Sequence, residues 1–332
     1  MRASLCSHAA SDSCNTLLFI MTPRKLGIRL MIVSVVTRLG VLLLLLFLSW
    51  LPTYINFKIG YNSARLVELS DGKLIGLLYR ITDFFYSLFP NPVSVAQSSG
   101  GMTWSIRVFG VPFTDPIAFL SVLVKHHSLA LGFALGVVIP VLIAFLLGRV
   151  FCAYICPASL VFFVTSRVRN FLLKYLYLPN FSLPRSFAYG ILVSGLVLAI
   201  WIGHSVWGFL LPYLTVGKSI FMGMTAGVLS FSMISFVLFI LLDVFAGKQF
   251  TCRYVCPTGR LLGDIGRKSR VQIQRNKNAC IQKCHACEEV CPMGIRPKQD
   301  ETVDCSLCGE CMVICPTECL DIKVLLLGKE TS

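Results

Sequence analysis

Between Cys280 and Cys315 the chain sets eight cysteines in two runs, spaced two or three residues apart within each, and nothing else limits its folding so tightly. Thiols this close on a loop cannot spread through a core; they must face one another or a shared centre. Cys305-x2-Cys308-x2-Cys311-x3-Cys315-Pro316 has the spacing with which three thiolates grip one iron–sulfur cubane while the fourth reaches a second. A short loop turns its backbone N–H groups toward the cluster sulfurs, and the closing proline directs the chain away. The partner run, Cys280-x3-Cys284-x2-Cys287-x3-Cys291-Pro292, has one extra residue between its first two cysteines. Crossed ligation predicts one [4Fe-4S] cluster on Cys280, Cys284, Cys287 and Cys315 and another on Cys305, Cys308, Cys311 and Cys291. If Cys280 falls short, the first site becomes a labile or three-iron centre. A structural zinc knuckle is the competing use of such spacings. Cys319 reads as a small buried residue of the following turn.

The rest of the chain has another character. Of 332 residues, 55% are hydrophobic and 14% charged, well outside the balance of soluble domains, and the apolar residues concentrate before Phe250. Four stretches approach the roughly twenty apolar residues that cross a bilayer: 36–55, 129–147, 187–202 and 224–245. The formal charge of +14 flanks these stretches, at Arg24, Lys25, Arg29 and from Arg260 to Lys277, which favours membrane anchoring over nucleic acid. Arg149, Arg167, Arg169, Lys174 and Arg185, between the second and third stretches, set that side in the cytoplasm. Thiolate ligands need a reducing compartment and place the C-terminal region there too. The expected fold is an all-α polytopic protein of the inner (cytoplasmic) membrane with four transmembrane helices, followed by a cytoplasmic α+β domain of the bacterial 2[4Fe-4S] ferredoxin type. Residues 1–27 read as a tail that is disordered or precedes a true start at Met21. Residues 28–259 read as the membrane domain with an extracytoplasmic loop at 56–127, and 260–332 as the ferredoxin-like domain, both termini being cytoplasmic. Within the loop, 74–89 suits an interfacial helix and Asp115-Pro116 a helix start.

A second constellation is paired: Cys152-Ala-Tyr-Ile-Cys156-Pro157 after the second stretch and Cys252-Arg-Tyr-Val-Cys256-Pro257 after the fourth. On an α-helix residues i and i+4 share a face, so each motif offers two thiols in one direction and the pair offers four. They suit a redox relay, a further iron–sulfur centre, a thiol pair or transient copper binding; buried packing thiols are the plain alternative. No other internal repeat is evident. Asp243 in the fourth stretch and His204 at the outer end of the third are costly in lipid, and His126 and His127 stand just outside the second. These four are candidates for handling quinol or protons, against a merely partnered or interfacial role. Arg38 reaches the interface by snorkelling.

Phe109-Gly-Val-Pro-Phe-Thr-Asp115-Pro116, Gly148-Arg-Val-Phe-Cys152-Ala-Tyr-Ile-Cys156-Pro157, Cys252-Arg-Tyr-Val-Cys256-Pro257-Thr-Gly259 and the two ferredoxin runs together resemble the NapH-type family, membrane subunits of quinol dehydrogenases, over most of residues 30–325. The resemblance implies a four-helix membrane protein that oxidises a quinol and relays electrons through its clusters. It implies the quinone pool as substrate and an extracytoplasmic iron–sulfur or cytochrome subunit as partner. Related architecture in methylamine-utilisation proteins, NosR-type regulators and CcoG-like copper reductases implies a rival: a membrane redox factor that reduces a metal or thiol during assembly or regulation of another metalloenzyme. An outer loop enlarged around 58–99 and the widened first ferredoxin spacing depart from the nitrate-respiration type.

Overall fold

The structure, a computed structural model, describes residues 22–125 and 131–324, apart from 182, 185, 229, 282–283 and 300–303. Its spine is α1 (Pro23–Gly60), 38 residues opened by a proline in the first turn, where a missing N–H leaves no hydrogen bond unmade. Residues 23–27 are thus helical and do not belong to a tail. Gly27, Ser34, Arg38, Leu45 and Leu48 are buried along α1, whereas Val33, Val36, Leu43 and Phe47 face outward. A helix whose open face is this apolar suits lipid. Among the described residues only α1 is long and apolar enough to cross a bilayer.

Next come α2 (Ala64–Asp71), α3 (Lys73–Tyr86) and α4 (Pro92–Gln97), gathered around the aromatic end of α1 at Trp50 and Tyr54. α3 buries Gly76, Tyr79, Thr82 and Tyr86 and exposes Leu74, Leu77, Ile81 and Phe84, as an interfacial helix would. An antiparallel meander of β1 (Gly100–Met102), β2 (Ser105–Val108) and β3 (Val111–Thr114) follows, which corrects the all-α expectation. Its first turn depends on glycine: Gly101 has φ +110°, a region side chains avoid, and a Cβ there would stand 2.3 Å from the Ser105 carbonyl oxygen. α5 (Pro116–Lys125) starts where Asp115-Pro116 predicts, with Asp115 Oδ1 accepting from the N–H groups of Ile117 at 2.7 Å and Ala118 at 3.3 Å, a side-chain cap.

The bundle is completed by α6 (Leu131–Leu147), α7 (Val150–Tyr154), α8 (Ala158–Leu172), α9 (Ser186–Trp201), α10 (Trp207–Leu210), α11 (Pro212–Ala226) and α12 (Met233–Phe245). α6, α9 and α12 stand at three expected spans but have 17, 16 and 13 residues, short of the roughly twenty that cross a bilayer unaided. The stretch 224–245 is not one helix: α11 closes on Gly227 in the left-handed region, φ +67°, and α12 begins only at Met233. β3 lies against α6, where Gly136 leaves room for Thr114; a Cβ there would stand 2.6 Å from its hydroxyl.

A π-helical turn at Thr251–Val255 and α13 (Pro257–Ile265) lead into the C-terminal unit, made of β4 (Val271–Arg275), α14 (Ala286–Val290), α15 (Glu310–Ile314) and β5 (Leu320–Val324). β4 and β5 pair antiparallel, Ile273 opposite Ile322, and fold over the cysteine loops. The unit rides on the first turns of α1, where a Cβ on Gly27 would stand 3.0 Å from the Gly309 carbonyl oxygen and from Met312.

Trp207 is the largest fully buried side chain of the bundle. Its Nε1 donates to Ser121 Oγ at 3.0 Å, and its ring rests on Gly195, where a Cβ would meet it at 2.6 Å, so it ties α9 to α5. Trp207→Ala should remove about 3–5 kcal/mol, read as an earlier midpoint when detergent-solubilised protein is titrated with denaturant. An unmoved midpoint would show that the ring does not hold these helices together.

Candidate iron–sulfur centres

The two C-x3-C-P motifs are built alike. The Cys156 N–H donates to the Phe151 carbonyl at 3.0 Å and the Cys256 N–H to that of Thr251 at 2.8 Å, each reaching back five residues. At the second motif this wide turn, common at functional sites, is π-helical over Thr251–Val255 and replaces the α-helical face that the spacing predicts. At the first, Cys152 lies in α7 and the Phe151 carbonyl also accepts from the Ile155 N–H at 3.0 Å. Beyond each motif a new helix begins: the N–H groups of Ala158 and Ser159 at the start of α8 lie toward the Cys156 sulfur, and that of Gly259 in α13 toward Cys256. Amides at a helix start favour negative charge on those sulfurs.

The two motifs meet. Cys152, Cys156, Cys252 and Cys256 line one apolar cavity closed by Phe151, Phe162, Tyr213 and Leu262. The four thiols line one space between them, and four soft thiolate donors suit an iron–sulfur core. A Cβ on Gly259 would stand 2.9 Å from Arg149 Nη2 and 3.6 Å from Cys152 Sγ, so glycine keeps this cradle open. Burial pushes the Cys256 thiol up to about 12 and holds Cys156 and Cys252 well above the ordinary thiol value. Such thiols do not ionise alone; an iron core would supply the charge that burial withholds. The soft donor set, dry walls and amide groups fit a [4Fe-4S] core.

Arg149, 2% exposed, sits beside this cavity. Its Nη2 donates to the Cys252 carbonyl at 2.9 Å and its Nη1 to Asp304 Oδ1 at 3.3 Å. Burial alone would lower its pKa, but Cys152, Asp304 and Cys252 outweigh that and raise it. Asp304, the neighbour of Cys305, also accepts from Arg260 Nη1 at 3.3 Å, and the Tyr154 hydroxyl donates to the Leu307 carbonyl at 2.8 Å. The first cysteine motif is thereby fixed to the ferredoxin loop.

In the C-terminal unit Cys291, Cys305, Cys308 and Cys311 are drawn together closely enough for each to act electrostatically on others of the set. Burial pushes Cys305 and Cys308 up to about 12. Cys280, Cys284, Cys287 and Cys315 line a second pocket. So does Cys319, which the sequence reading set aside: its Sγ lies 3.5 Å from Cys315 Sγ. At Cys315 burial raises the pKa, yet hydrogen bonds from the Cys319 backbone and thiol and from Thr317 more than reverse it. The signal missed was that β5 begins one residue after Cys319, which turns that thiol into the loop.

The polar candidates are dispersed. Asp243 is fully buried and accepts from the Thr251 N–H at 2.8 Å, which anchors the π turn ahead of Cys252. Arg38 does not snorkel: it is 4% exposed, donates to the Ala153 carbonyl and lies over the Phe163 ring at 5.5 Å. His204 opens a short 3-10 turn; its side chain, like His126 and His127 entire, lies outside the described residues. A polar chain that sequence reasoning did not find runs through Tyr213, whose hydroxyl donates to Asp115 Oδ2 at 2.7 Å and lies 3.0 Å from Thr258 Oγ1. Burial lifts the Asp115 carboxyl, in the loop ahead of α5, to about 6 against the pull of its hydrogen bonds.

A family model described as a 4Fe-4S binding domain matches residues 129–174 and again 229–274. Each match encloses one C-x3-C-P motif, so the repeat takes in the apolar helix before the motif and the helix after it, more than the bare motif pair. The chain is 29% identical to the ferredoxin-type protein NapH of Escherichia coli, over 67% of this chain and 79% of that one. It is 27% identical to the methylamine utilization ferredoxin-type protein MauN of Methylobacillus flagellatus, over 58% and 66%. It is 31% identical to an uncharacterised protein of Methanocaldococcus jannaschii, over 56% and 76%. No solved structure matches the chain. With thiols gathered as iron–sulfur ligands and relatives of this kind, the chain belongs to the NapH-type family of ferredoxin-type electron-transport proteins.

Proposed function

We propose that the chain is a multi-pass protein of the cytoplasmic membrane that passes electrons between the quinone pool and a redox partner through three four-cysteine centres in series. One centre is held by Cys152, Cys156, Cys252 and Cys256. The next is held by Cys291, Cys305, Cys308 and Cys311, and the outermost by Cys284, Cys287 and Cys315 with Cys280 or Cys319. The observation that carries this reading is the direct bridging of the first two sets by Arg149, which bonds to Cys252 and to the neighbour of Cys305. When bound, the clusters supply one-electron chemistry. The protein's own residues exclude water, fix the thiols and set the local charge. Four membrane crossings with both termini and the ferredoxin unit on the cytoplasmic side are supported by the basic residues that flank α1 and follow α7. An extracytoplasmic iron–sulfur or cytochrome subunit is the fitting partner. The alternative, a thiol or metal reductant for assembly of another enzyme, needs accessible thiols of low pKa, whereas Cys156, Cys252 and Cys256 line a dry cavity and are raised.

Anaerobically purified protein should contain about twelve iron and about twelve sulfide per chain if all three sets hold cubanes. Cys152→Ser with Cys256→Ser should lower both to about eight and leave the ferredoxin spectrum in place. Eight in the parent protein would mean that the membrane-side thiols hold no cluster. At the outermost centre, Cys280→Ser should keep its EPR signal because Cys319 completes the set, and adding Cys319→Ser should abolish it. Loss of the signal in Cys280→Ser alone would exclude Cys319 as a ligand.

A further inference from the structure

A second cavity, of about 200 Å³, adjoins the membrane-side cysteine pocket; Phe151 and Tyr213 line both. One wall is α1, through Val41, Leu44 and Leu45. Leu44 is 40% exposed on the outward face of that helix, so the cavity borders the surface that α1 offers to lipid. The floor is the C-x3-C-P loop, through Ile155 and Pro157. The lining is apolar except along one side, where the meander and α11 bring Thr103, Thr114, Asp115 and Tyr213.

Two features mark this as a built site. Thr114 is 1% exposed and its hydroxyl has no hydrogen-bond partner, a loss of about 1–3 kcal/mol that a ligand oxygen would remove. Asp115 is 7% exposed and held by Tyr213, Ile117 and Ala118, so its carboxylate is aligned before any ligand arrives. An apolar cavity of about 150 Å³ admits benzene, and this one has room for a substituted ring with its polar edge on the Thr114–Asp115 side.

We infer that this cavity binds the ring of a membrane quinol, with Thr114 and Asp115 on its hydroxyl groups and its isoprenoid tail leaving past Leu44 into the lipid. The inference rests on the quinone-pool reading proposed above and assigns the site at which it happens. Oxidation of the bound ring breaks two O–H bonds. The two protons pass in turn to the Asp115 carboxylate, each released to water before the next. A cluster held by Cys152, Cys156, Cys252 and Cys256 would accept the two electrons one at a time, Phe151 lying between the two cavities.

The test uses the full-length, cluster-loaded protein in liposomes. It follows loss of iron–sulfur absorbance on adding a short-tailed quinol, with dithionite as a donor that needs no site. Leu45→Trp should fill the cavity and abolish bleaching by quinol while bleaching by dithionite and iron content stay unchanged. Thr114→Val should raise the quinol concentration needed for half-maximal rate about five- to tenfold without lowering stability, since it deletes an unpartnered hydroxyl. Asp115→Asn should slow quinol bleaching at saturation about a hundredfold or more. If Leu45→Trp fails to assemble, Thr114→Val together with photolabelling of the parent protein by an azidoquinone decides, the label being expected on 41–45 or 111–116. Quinol bleaching equal in the parent, Leu45→Trp and Thr114→Val, or a label elsewhere, overturns this site and leaves the quinol reading standing. A parent protein that dithionite bleaches and quinol does not overturns both.

Discussion

One buried guanidinium, that of Arg149, joins three parts of the chain at a single point. It issues from the turn before the first cysteine motif, bonds the carbonyl of Cys252 in the second, and pairs with Asp304 beside the ferredoxin cysteines. Its stem lies in a groove on α13 made by two glycines one turn apart. A Cβ on Gly259 or Gly263 would come within 2.9 Å of it. Removing one member of a buried ionic set leaves the other charge uncompensated, at about 3–5 kcal/mol. The position is therefore held by charge as well as by shape, and the thiol pocket inherits that rigidity.

The same charge bears on the chemistry. An iron–sulfur core held by these four thiols would carry net negative charge into an apolar space walled by Phe151, Phe162 and Leu262. A fixed cation and the amides at the starts of α8 and α13 offset that charge without moving, which suits one-electron transfer because little needs to reorganise. The cysteine sets differ in their surroundings: Cys152, Cys156, Cys252 and Cys256 line an apolar cavity walled by Phe151, Phe162 and Leu262, whereas Cys280, Cys284 and Cys287 share their pocket with an Ile281 that is 50% exposed. Hydration and nearby charge tune cluster potentials, so one ligand type can give three different centres.

How much of this could be read from the chain depends on the range of the cause. The ferredoxin runs were legible as thiol sets because close spacing is a local constraint, and Cys291, Cys305, Cys308 and Cys311 lie near one another in the fold. The cap of Asp115 on α5 was legible for the same reason. The break at Gly227 was not, since a single glycine within an apolar stretch looks the same whether its φ is negative or positive. Asp115 meeting Tyr213, and Thr114 meeting Gly136, are contacts between segments far apart in sequence, and no periodicity announces them. The π turn escaped because i+4 spacing fits an α-helix equally well until the backbone shows that Cys156 and Cys256 each bond five residues back.

That turn also explains why the motif occurs twice. A C-x3-C-P segment presents two thiols and then starts a new helix at its proline, so a single copy leaves a cubane half ligated. Two remedies exist: a longer run of cysteines, which the C-terminal unit uses, or a second copy of the whole helix–turn–helix brought face to face with the first. The bundle uses the second, and the family matches at 129–174 and 229–274 trace its two halves. The consequence is mechanical. A cluster held by Cys152, Cys156, Cys252 and Cys256 would be completed only after α6 to α8 and α12 to α13 have packed, since each half supplies two of the four thiols. The ferredoxin sets also draw on two cysteine runs, but both runs lie within the one C-terminal unit rather than in two halves of the bundle.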